Sequence, residues 1–210
     1  MAKNAALIFG LLLLPVAALA APADDYAALV TAAKDGDPGV DYTVMRQTYT
    51  QTPGYDPFGR RTDGLMKDAQ TAYLAKDCKT ALAKYKLAIA LNFTLSDAHA
   101  LSADCMAQLG DKKGEAQEQA IAQGLFASII ASGDGKSPKT AFWVVSRHEE
   151  EALFVIAGLN AKGLTTLTTD RGPVDKFSAT DEKGKKSNLY FNVSAMALFG
   201  AKSAAPAPKQ

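Results

Sequence analysis

Residues 65–92 read LMKDAQTAYLAKDCKTALAKYKLAIALN, and this stretch decides the first half of the fold. Apolar residues recur in it every three or four positions, which is the period of an amphipathic helix. Because the segments that follow keep this period and the loops between them are short, we expect helices that pair as antiparallel hairpins. The pattern predicts four helices, at 65–76, 78–92, 96–109 and 115–130, with Ser96 as the cap of the third.

This helical stretch also contains the trace of an internal repeat. Asp77 and Asp111 stand at equivalent turns between helices, 34 residues apart, and 34 is the period of the tetratricopeptide repeat. Ala81, Tyr85 and Ala88 fit the small–aromatic–small pattern of that repeat, in which small residues let paired helices approach closely. The second copy departs from the pattern. We therefore predict about one and a half degenerate repeats, too few for a free-standing solenoid.

The pattern changes at the loop 132–138, which reads SGDGKSP. Two glycines that flank Asp134 permit a tight turn and Pro138 stops a continuing helix, so we expect an ordered loop. Beyond it, segments rich in β-branched and aromatic residues predict strands at 140–146, 164–169, 174–180 and 187–193, with a helix at 147–159.

These elements predict an α+β fold within a single domain. Antiparallel helical hairpins, similar to tetratricopeptide repeats, occupy about 24–131. A small, mostly antiparallel β-sheet with one crossover helix follows over about 139–199. The domain as a whole is expected to span 21–202, and the Pro/Ala tail at 203–210 is expected to be disordered.

The first twenty residues have the three parts of a secretory signal peptide. Lys3 supplies the positive charge, 5–14 is apolar, and Ala18-Leu19-Ala20 offers the small residues that a signal peptidase requires. We predict a signal peptide over 1–20, with cleavage after Ala23 as the alternative. The apolar run is shorter than the roughly 20 residues that cross a bilayer, so we predict no stable membrane insertion after cleavage. The expected location is outside the cytoplasm, in the periplasm or secreted.

Charge and motifs argue against several classes of protein. The chain has 23 basic and 22 acidic residues, and loss of Lys3 leaves 22 of each, so no overall field attracts nucleic acid. Gly135-Lys136-Ser137 resembles the end of a phosphate-binding loop, but Ile130 stands where that loop needs a glycine. We therefore expect neither a nucleic-acid partner nor a cofactor.

Two histidines and two cysteines are the candidates for chemistry. His99 and His148 lie in different predicted helices and form no metal-ligand motif, so we predict no metal and assign no catalytic residue. Cys78 begins one predicted helix, and Cys105 lies late in the next, where the two come level on antiparallel neighbours. In an oxidising compartment this placement predicts a disulfide, with two buried free thiols as the alternative.

One candidate site remains, at the junction of the helical and sheet parts. It takes Asp134 and Lys136 from the loop 132–138, and His148 and Glu149 from the start of the next predicted helix. Junctions between subdomains are common places for clefts. The alternative interpretation is a structural loop beside acidic charge that suits a helix N-terminus.

Several segments, taken together, resemble one family. The chain is similar in them to secreted bacterial proteins grouped as domain of unknown function 4919. The resemblance implies an exported bacterial protein with a helical, tetratricopeptide-like part. It implies no activity and supplies no catalytic residue. The segments are Tyr55-Asp56-Pro57-Phe58, the runs 124–129 (GLFASI) and 132–142 (SGDGKSPKTAF), the pair Glu149-Glu150, and 189–193 (LYFNV).

The expected function is a non-enzymatic binding or scaffolding module that engages an envelope protein or a peptide. The degenerate helical hairpins motivate this hypothesis, because such hairpins present surfaces to partners. The alternative is an enzyme of unrecognised type that acts in the cell envelope. That alternative requires the polar side chains of the junction to converge in one concave pocket.

Overall fold

The computed structural model describes residues 22–204, and within them helices are followed by a four-stranded sheet. The predicted α+β class is confirmed. The helices are α1 (Pro22–Asp35), α2 (Tyr42–Tyr49), α3 (Asp63–Leu74), α4 (Cys78–Leu91), α5 (Ser96–Gln108), α6 (Lys112–Ile130), α7 (Arg147–Ile156) and α8 (Ser194–Ala204). The strands are β1 (Phe142–Trp143), β2 (Asn160–Thr169), β3 (Gly172–Thr180) and β4 (Lys186–Asn192). The predicted signal peptide and residues 205–210 of the predicted tail lie outside the described residues.

Helices α3 to α6 lie where the apolar period predicts them, and each packs against the next. Asp77 and Asp111 have the same local role, because each caps a helix. Asp77 accepts a hydrogen bond from the Thr80 amide at 3.1 Å, and Asp111 accepts one from the Gly114 amide at 2.9 Å. Such caps satisfy amides that have no partner inside the helix. The likeness of this part to tetratricopeptide repeats stays a prediction.

Two local predictions in the helical part are wrong. Ser96 does not cap α5, since Leu95 holds the cap position and Ser96 is the buried first residue of the helix. The predicted disulfide is not formed, because Cys78 and Cys105 are free thiols that touch on adjacent helices without bonding. Burial, followed by the hydrogen bond to Cys78, raises the pKa of Cys105 to about 12. The alternative of two buried thiols therefore describes this pair.

The sheet has the order β1-β4-β3-β2. Strand β3 pairs antiparallel with both β2 and β4, whereas β1 pairs parallel with β4 and is followed by α7. Strand β1 is shorter than predicted, because the backbone of Val145 is already bonded elsewhere. Its amide donates to the Glu149 carboxylate at 2.8 Å, and its carbonyl accepts from the Tyr55 hydroxyl at 2.7 Å. Pairing with β4 therefore ends at the Val144 amide, which donates to the Asn192 carbonyl at 3.2 Å.

Helix α8 is an element that the sequence interpretation missed. Its first residues were assigned to the sheet part, and Ser203 and Ala204 to the disordered tail. The helix starts where the Asn192 side chain accepts a hydrogen bond from the Ser194 amide at 3.0 Å. It continues the α+β domain to the end of the described residues. Within residues 22–204, no helix is both long and apolar enough to cross a membrane.

The loop 132–138 is hydrogen-bonded to the sheet part, as expected of an ordered loop. The amides of Asp134 and Gly135 both donate to the Thr140 carbonyl, at 3.0 and 2.8 Å, and the Gly135 carbonyl accepts from the Tyr190 amide of β4 at 3.0 Å. Gly135 has a φ of +64°, and a Cβ there would overlap the Phe142 ring. The Asp134 side chain, by contrast, is exposed, so the backbone holds this turn.

Three apolar clusters hold the domain together. The first lies among α1 to α6 around Tyr85, and the second lies between α7, α8 and the sheet around Phe191. The third joins them and contains Tyr49, Tyr55 and Val145. The rings of Tyr49 and Tyr55 meet edge to face with centroids 5.2 Å apart, a favoured aromatic geometry. The junction of the two parts is therefore packed, and α7 begins within it.

Candidate functional site

The start of α7 brings five consecutive charged residues, Arg147 to Glu151, to the junction of the two parts. The Arg147 amide donates to the Pro57 carbonyl at 3.0 Å, which ties the helix to the loop before α3. Successive helical residues point about 100° apart, so these side chains enter different surroundings. Three of those surroundings matter here: a buried ion pair, a shallow depression and a cleft.

The buried ion pair joins Glu149 to Arg46 of α2. The guanidinium binds the carboxylate through two parallel hydrogen bonds, Nε to Oε1 and Nη2 to Oε2, each 2.8 Å long. The side chains are 0% and 1% exposed, so the pair is sealed from solvent. This fork-to-fork geometry is the strongest form of the arginine–carboxylate contact.

Further bonds connect this ion pair to two other elements and to Val145, and we call the whole set the Arg46 clamp. Arg46 also donates to the Trp143 carbonyl at 2.6 Å and to the Ser128 hydroxyl at 3.3 Å. Glu149 accepts from the Val145 amide. The clamp consequently joins α2, α6, β1 and α7. Because Glu149 has no open side, its role is to position these elements rather than to meet a ligand.

His148 lies in a shallow depression of about 200 Å³, beside the clamp but separate from it. Its Nε2 is 3.2 Å from Asp63 Oδ1 and 3.4 Å from the Thr62 hydroxyl. Gly59, at a φ of +68°, lies against this pair, and a Cβ there would overlap the Asp63 carboxylate. The His148–Asp63 contact thus depends on a glycine in the preceding loop.

The third surrounding is a cleft of about 390 Å³ between α7, α8 and the sheet, which we call the junction cleft. Its floor is apolar, with the rings of Phe154 and Phe177 in edge contact at 5.0 Å. Its polar groups come from α7 and β3. The residues that line it are Phe58, Arg147, Glu150, Glu151, Phe154, Ala161, Leu164, Asp175, Phe177 and Met196.

Glu150 is the unusual residue of this cleft. Glu150 is only 4% exposed, and its Oε1 is buried without any hydrogen-bond partner among the described residues. Burial raises its pKa to about 8, Asp175 acts in the same direction, and Arg147 acts against both. A carboxyl with such a pKa is largely neutral at pH 7.

Asp175 stands beside Glu150 on β3, and its own surroundings differ. It is 9% exposed, and its Oδ1 accepts a hydrogen bond from the Thr166 hydroxyl of β2. Thr166 lies directly opposite Asp175 in the β2–β3 register. The cleft therefore holds two neighbouring carboxyl groups, one hydrogen-bonded and one without a partner. Such a pair can receive a cation or can donate and accept a proton.

The structure separates the four residues of the predicted site. Asp134 and Lys136 lie exposed on the loop 132–138, with Lys136 Nζ 3.9 Å from Asp134 Oδ2. The Thr140 side chain and the Lys136 amide lower the pKa of Asp134. Among residues 22–204, no hydrogen bond or ion pair joins these two residues to His148 or Glu149. His148 and Glu149 themselves enter different surroundings, so the four do not form one site.

Sequence reasoning missed the residues that make the cleft. Glu150 was visible as one of three successive glutamates, but nothing in that run shows which carboxylate finds an arginine. Asp175 shares one face of β3 with Phe177 and Ala179, because alternate residues of a strand point the same way, and a charge on such an apolar face can indicate a site. In the part of the chain that the structure describes, no group of three or more His, Cys, Asp or Glu side chains is placed to hold a metal ion.

Comparison with known proteins places the chain in one family. The family model described as Domain of unknown function (DUF4919) matches residues 26–198, and the chain belongs to that family. The match covers both the helical part and the sheet part, including every residue that lines the junction cleft. No curated protein and no solved structure matches the chain.

Proposed function

We propose that this member of the DUF4919 family is an exported, non-enzymatic binding module that holds a segment of an envelope protein, or a peptide, in the junction cleft. The observation that carries the proposal is Glu150, a buried carboxyl that has no hydrogen-bond partner in the described part of the chain and that lines a cleft with an apolar floor. Ligand sites typically combine an apolar floor with a few placed polar groups in a volume of about 300–1,000 Å³. The junction cleft has that composition, and its volume is about 390 Å³.

The surroundings of the cleft support a role in recognition. Arg147 and Glu150 come from α7, whose neighbouring residue Glu149 is locked into the Arg46 clamp. Asp175 comes from β3, an inner strand that is paired on both sides. Sites built on rigid elements hold their geometry without a ligand, which lowers the entropy lost on binding.

Export is the second part of the proposal, and it rests on the signal-peptide pattern of residues 1–20. Cell fractionation followed by mass spectrometry of the intact chain tests it directly. We expect the protein in the envelope or extracellular fraction, with a mass that corresponds to cleavage after Ala20 or Ala23. A full-length chain found in the cytoplasm would contradict this part of the proposal.

A photo-crosslinker placed at the cleft tests the binding function. Leu164 lines the cleft and is 51% exposed, whereas Leu87 on α4 is 55% exposed and does not line it. We expect p-benzoylphenylalanine at position 164, in the cells that make the protein, to yield one adduct of defined mass. The same group at position 87 is the matched control and should not yield that adduct.

A blocking variant makes this experiment specific to the cleft. Ala161 is an exposed cleft residue, so Ala161→Trp fills the cleft with little effect on the core. We expect this change to abolish the adduct at position 164. Identical adducts from positions 164 and 87, or an adduct that persists in the blocked variant, would show that the cleft is not the binding site.

One observation favours a second candidate function, an enzyme of unrecognised type that acts on envelope polymers. A carboxyl group that stays protonated near pH 7, beside another carboxyl, is the arrangement that acid–base catalysis uses. If the pair is catalytic, wild-type protein should hydrolyse a chromogenic glycoside or an envelope polysaccharide, and Glu150→Gln should lower the rate by roughly a hundredfold. Equal rates for the two proteins, or no hydrolysis by wild type, would eliminate this candidate.

A further inference from the structure

We infer that the junction cleft recognises a cationic side chain, and that Glu150 and Asp175 receive its ammonium or guanidinium group while the apolar floor receives its methylene stem. The inference rests on the proposed function, since it names the chemical class of residue that the bound segment presents. It stands on geometry: a carboxyl without a partner, a second carboxyl beside it and an aromatic floor share one cleft.

The buried carboxyl is the first step of the argument. A buried polar atom without a hydrogen-bond partner is destabilising, so native proteins keep few of them. Glu150 is 4% exposed, lines the cleft and has its Oε1 unsatisfied. Oε1 itself is closed to solvent, so a donor in the cleft would bind the carboxyl group once the Glu150 side chain turns toward it, and a cationic donor would bind it most strongly.

The charges around Glu150 favour a positive ligand. Asp175 faces it from β3, and Glu151 and Glu149 flank it on its own helix. Glu149 is neutralised by Arg46 and Glu150 is largely protonated at pH 7, so the carboxylates Glu151 and Asp175 outnumber Arg147 among the residues that line the cleft, and ionisation of Glu150 adds a third negative charge. A cleft with that balance attracts a cation and repels an anion.

The floor of the cleft selects for a cation carried on an apolar stem. Phe154, Phe177 and Met196 line the same cleft as the carboxyl groups. Lysine and arginine have such stems, and they bury them along apolar surface while the charged head finds a polar partner. Aromatic rings also attract cations directly. An amino acid side chain of this kind therefore matches both halves of the cleft.

Cation binding should be linked to the release of a proton. Glu150 is largely protonated at neutral pH, because its pKa is about 8. It must ionise to pair with a cation, so the apparent affinity rises with the ionised fraction as the pH increases. We expect the apparent affinity to rise at least tenfold between pH 6 and pH 8. The lysine ammonium stays charged over this range, because its pKa is higher than pH 8.

The test uses n-butylammonium and n-butylguanidinium as probes for the lysine and arginine side chains, and n-butanol as the neutral control. Met196 lines the cleft, whereas Met45 is buried in the helical core and reports on the fold. Methyl NMR of the whole soluble chain should show a saturable shift at Met196 with at least one cation and none with butanol. The stronger of the two cations identifies the lysine or the arginine form of the ligand.

Two glutamate-to-glutamine variants decide the role of Glu150. Glu150→Gln should weaken cation binding at least tenfold and remove its pH dependence. Glu182→Gln, in the exposed turn between β3 and β4 and outside the cleft, should change the affinity less than about threefold, as expected for a solvated charge. An unchanged Met45 signal in both variants shows that the fold is intact.

Three results would overturn the inference: equal shifts with butanol and with the cations, unchanged affinity in Glu150→Gln, or no rise in affinity with pH. These failures are distinct from failure of the proposed function. If the cations do not bind but a specific adduct still forms at position 164, the protein is a binding module whose ligand segment is uncharged. If the cations bind but no adduct forms, the cleft is a cation site and the proposal of a protein partner is wrong.

Discussion

Helix α7 presents two neighbouring glutamates to two different regions of the molecule. Glu149 and Glu150 are 1% and 4% exposed, so burial alone does not distinguish them. Glu149 faces the Arg46 clamp and has a charged or hydrogen-bonding partner for both carboxylate oxygens. Glu150 faces the junction cleft, where its Oε1 has none among the described residues.

The difference between the two regions separates a structural role from a binding role. A buried charge with a complete set of partners is satisfied by its own chain, and it holds elements in place. A buried carboxyl without partners keeps unused capacity for a ligand. The same residue type, one position apart, thus supports the architecture on one side of α7 and the candidate site on the other.

The largest expected effect follows from breaking the clamp. Arg46→Ala leaves Glu149 buried without its counter-charge, which should lower the free energy of unfolding by about 3–5 kcal/mol at pH 7. Urea titration measures this. Lys84→Ala, which removes one end of the exposed pair with Asp68, is the control and should lower it by less than about 1 kcal/mol.

A double variant checks the reason for that loss. Arg46→Met combined with Glu149→Leu removes both charges and restores an apolar contact, so stability should recover most of the deficit. A deficit that stays in the double variant, or an Arg46→Ala variant no less stable than Lys84→Ala, would show that the clamp does not organise the junction.

A smaller effect, opposite in sign, is expected on the cleft side. The folded state holds the proton of Glu150 up to about pH 8, whereas the unfolded chain releases it near pH 4.5. The folded protein therefore binds more protons within this window, and wild type loses stability as the pH rises through it. Relative to wild type, Glu150→Gln should gain about 2–4 kcal/mol between pH 5 and pH 8.5.

The measurement is the difference in free energy of unfolding between variant and wild type at the two pH values, which cancels other titrating groups. Glu151→Gln is exposed on the same helix and should show no such pH-dependent gain. A constant difference between Glu150→Gln and wild type at both pH values would mean that Glu150 is not held protonated.

The smallest effect comes from the loop 132–138, and it separates the two regions again. Gly135→Ala introduces a Cβ against Phe142 at a positive φ, which should destabilise by about 1–3 kcal/mol. Asp134→Ala removes an exposed side chain and should lower the melting temperature less. Both leave the cation response of Met196 unchanged, because the loop touches β1 and β4 rather than the cleft. A larger effect of Asp134→Ala, or a changed Met196 response, would contradict this division.

Elements with a local signal were the ones that the sequence predicted well. Helices α3 to α6 follow from an apolar period that each segment carries by itself. Strands β3 and β4 follow from a hairpin whose turn, at 181–184, is equally local. Strand β1 was predicted too long, because its limit depends on side chains distant in the sequence. Helix α8 was missed although the Asn192 side chain that binds the Ser194 amide at its start is close in the sequence. Glu149 and Tyr55 take the backbone bonds that would have extended β1.

The site predicted from the sequence and the junction cleft share the start of α7 and differ in their other residues. The sequence placed charged residues at the start of α7, and the structure confirms that they lie between the two parts. Asp134 and Lys136 seemed close because they are near α7 in the chain, yet they lie on an exposed turn. Asp175 was absent from the prediction, and it meets Glu150 only because β3 is an inner strand of the sheet.

Cys78 and Cys105 also show that the sequence predicts which residues are neighbours better than it predicts how their side chains interact. Helix period and hairpin topology bring the two residues together, and both are available in the sequence. Whether two neighbouring sulfurs bond or only touch depends on the distance and orientation of their Cα–Cβ vectors, which packing decides. The structure holds them as thiols.

The sequence by itself determined the order of the elements, the α+β class and the family, because these depend on period, turn residues and motifs that lie close together in the chain. Only the tertiary structure decided which of two adjacent glutamates is paired. Arg46 is 103 residues before Glu149 in the chain. Asp175 lies on β3, which is separated from α7 and Glu150 by β2. The packing of α7 against α2 and the sheet brings these distant partners together. The sequence near the two glutamates therefore does not show which of them is paired.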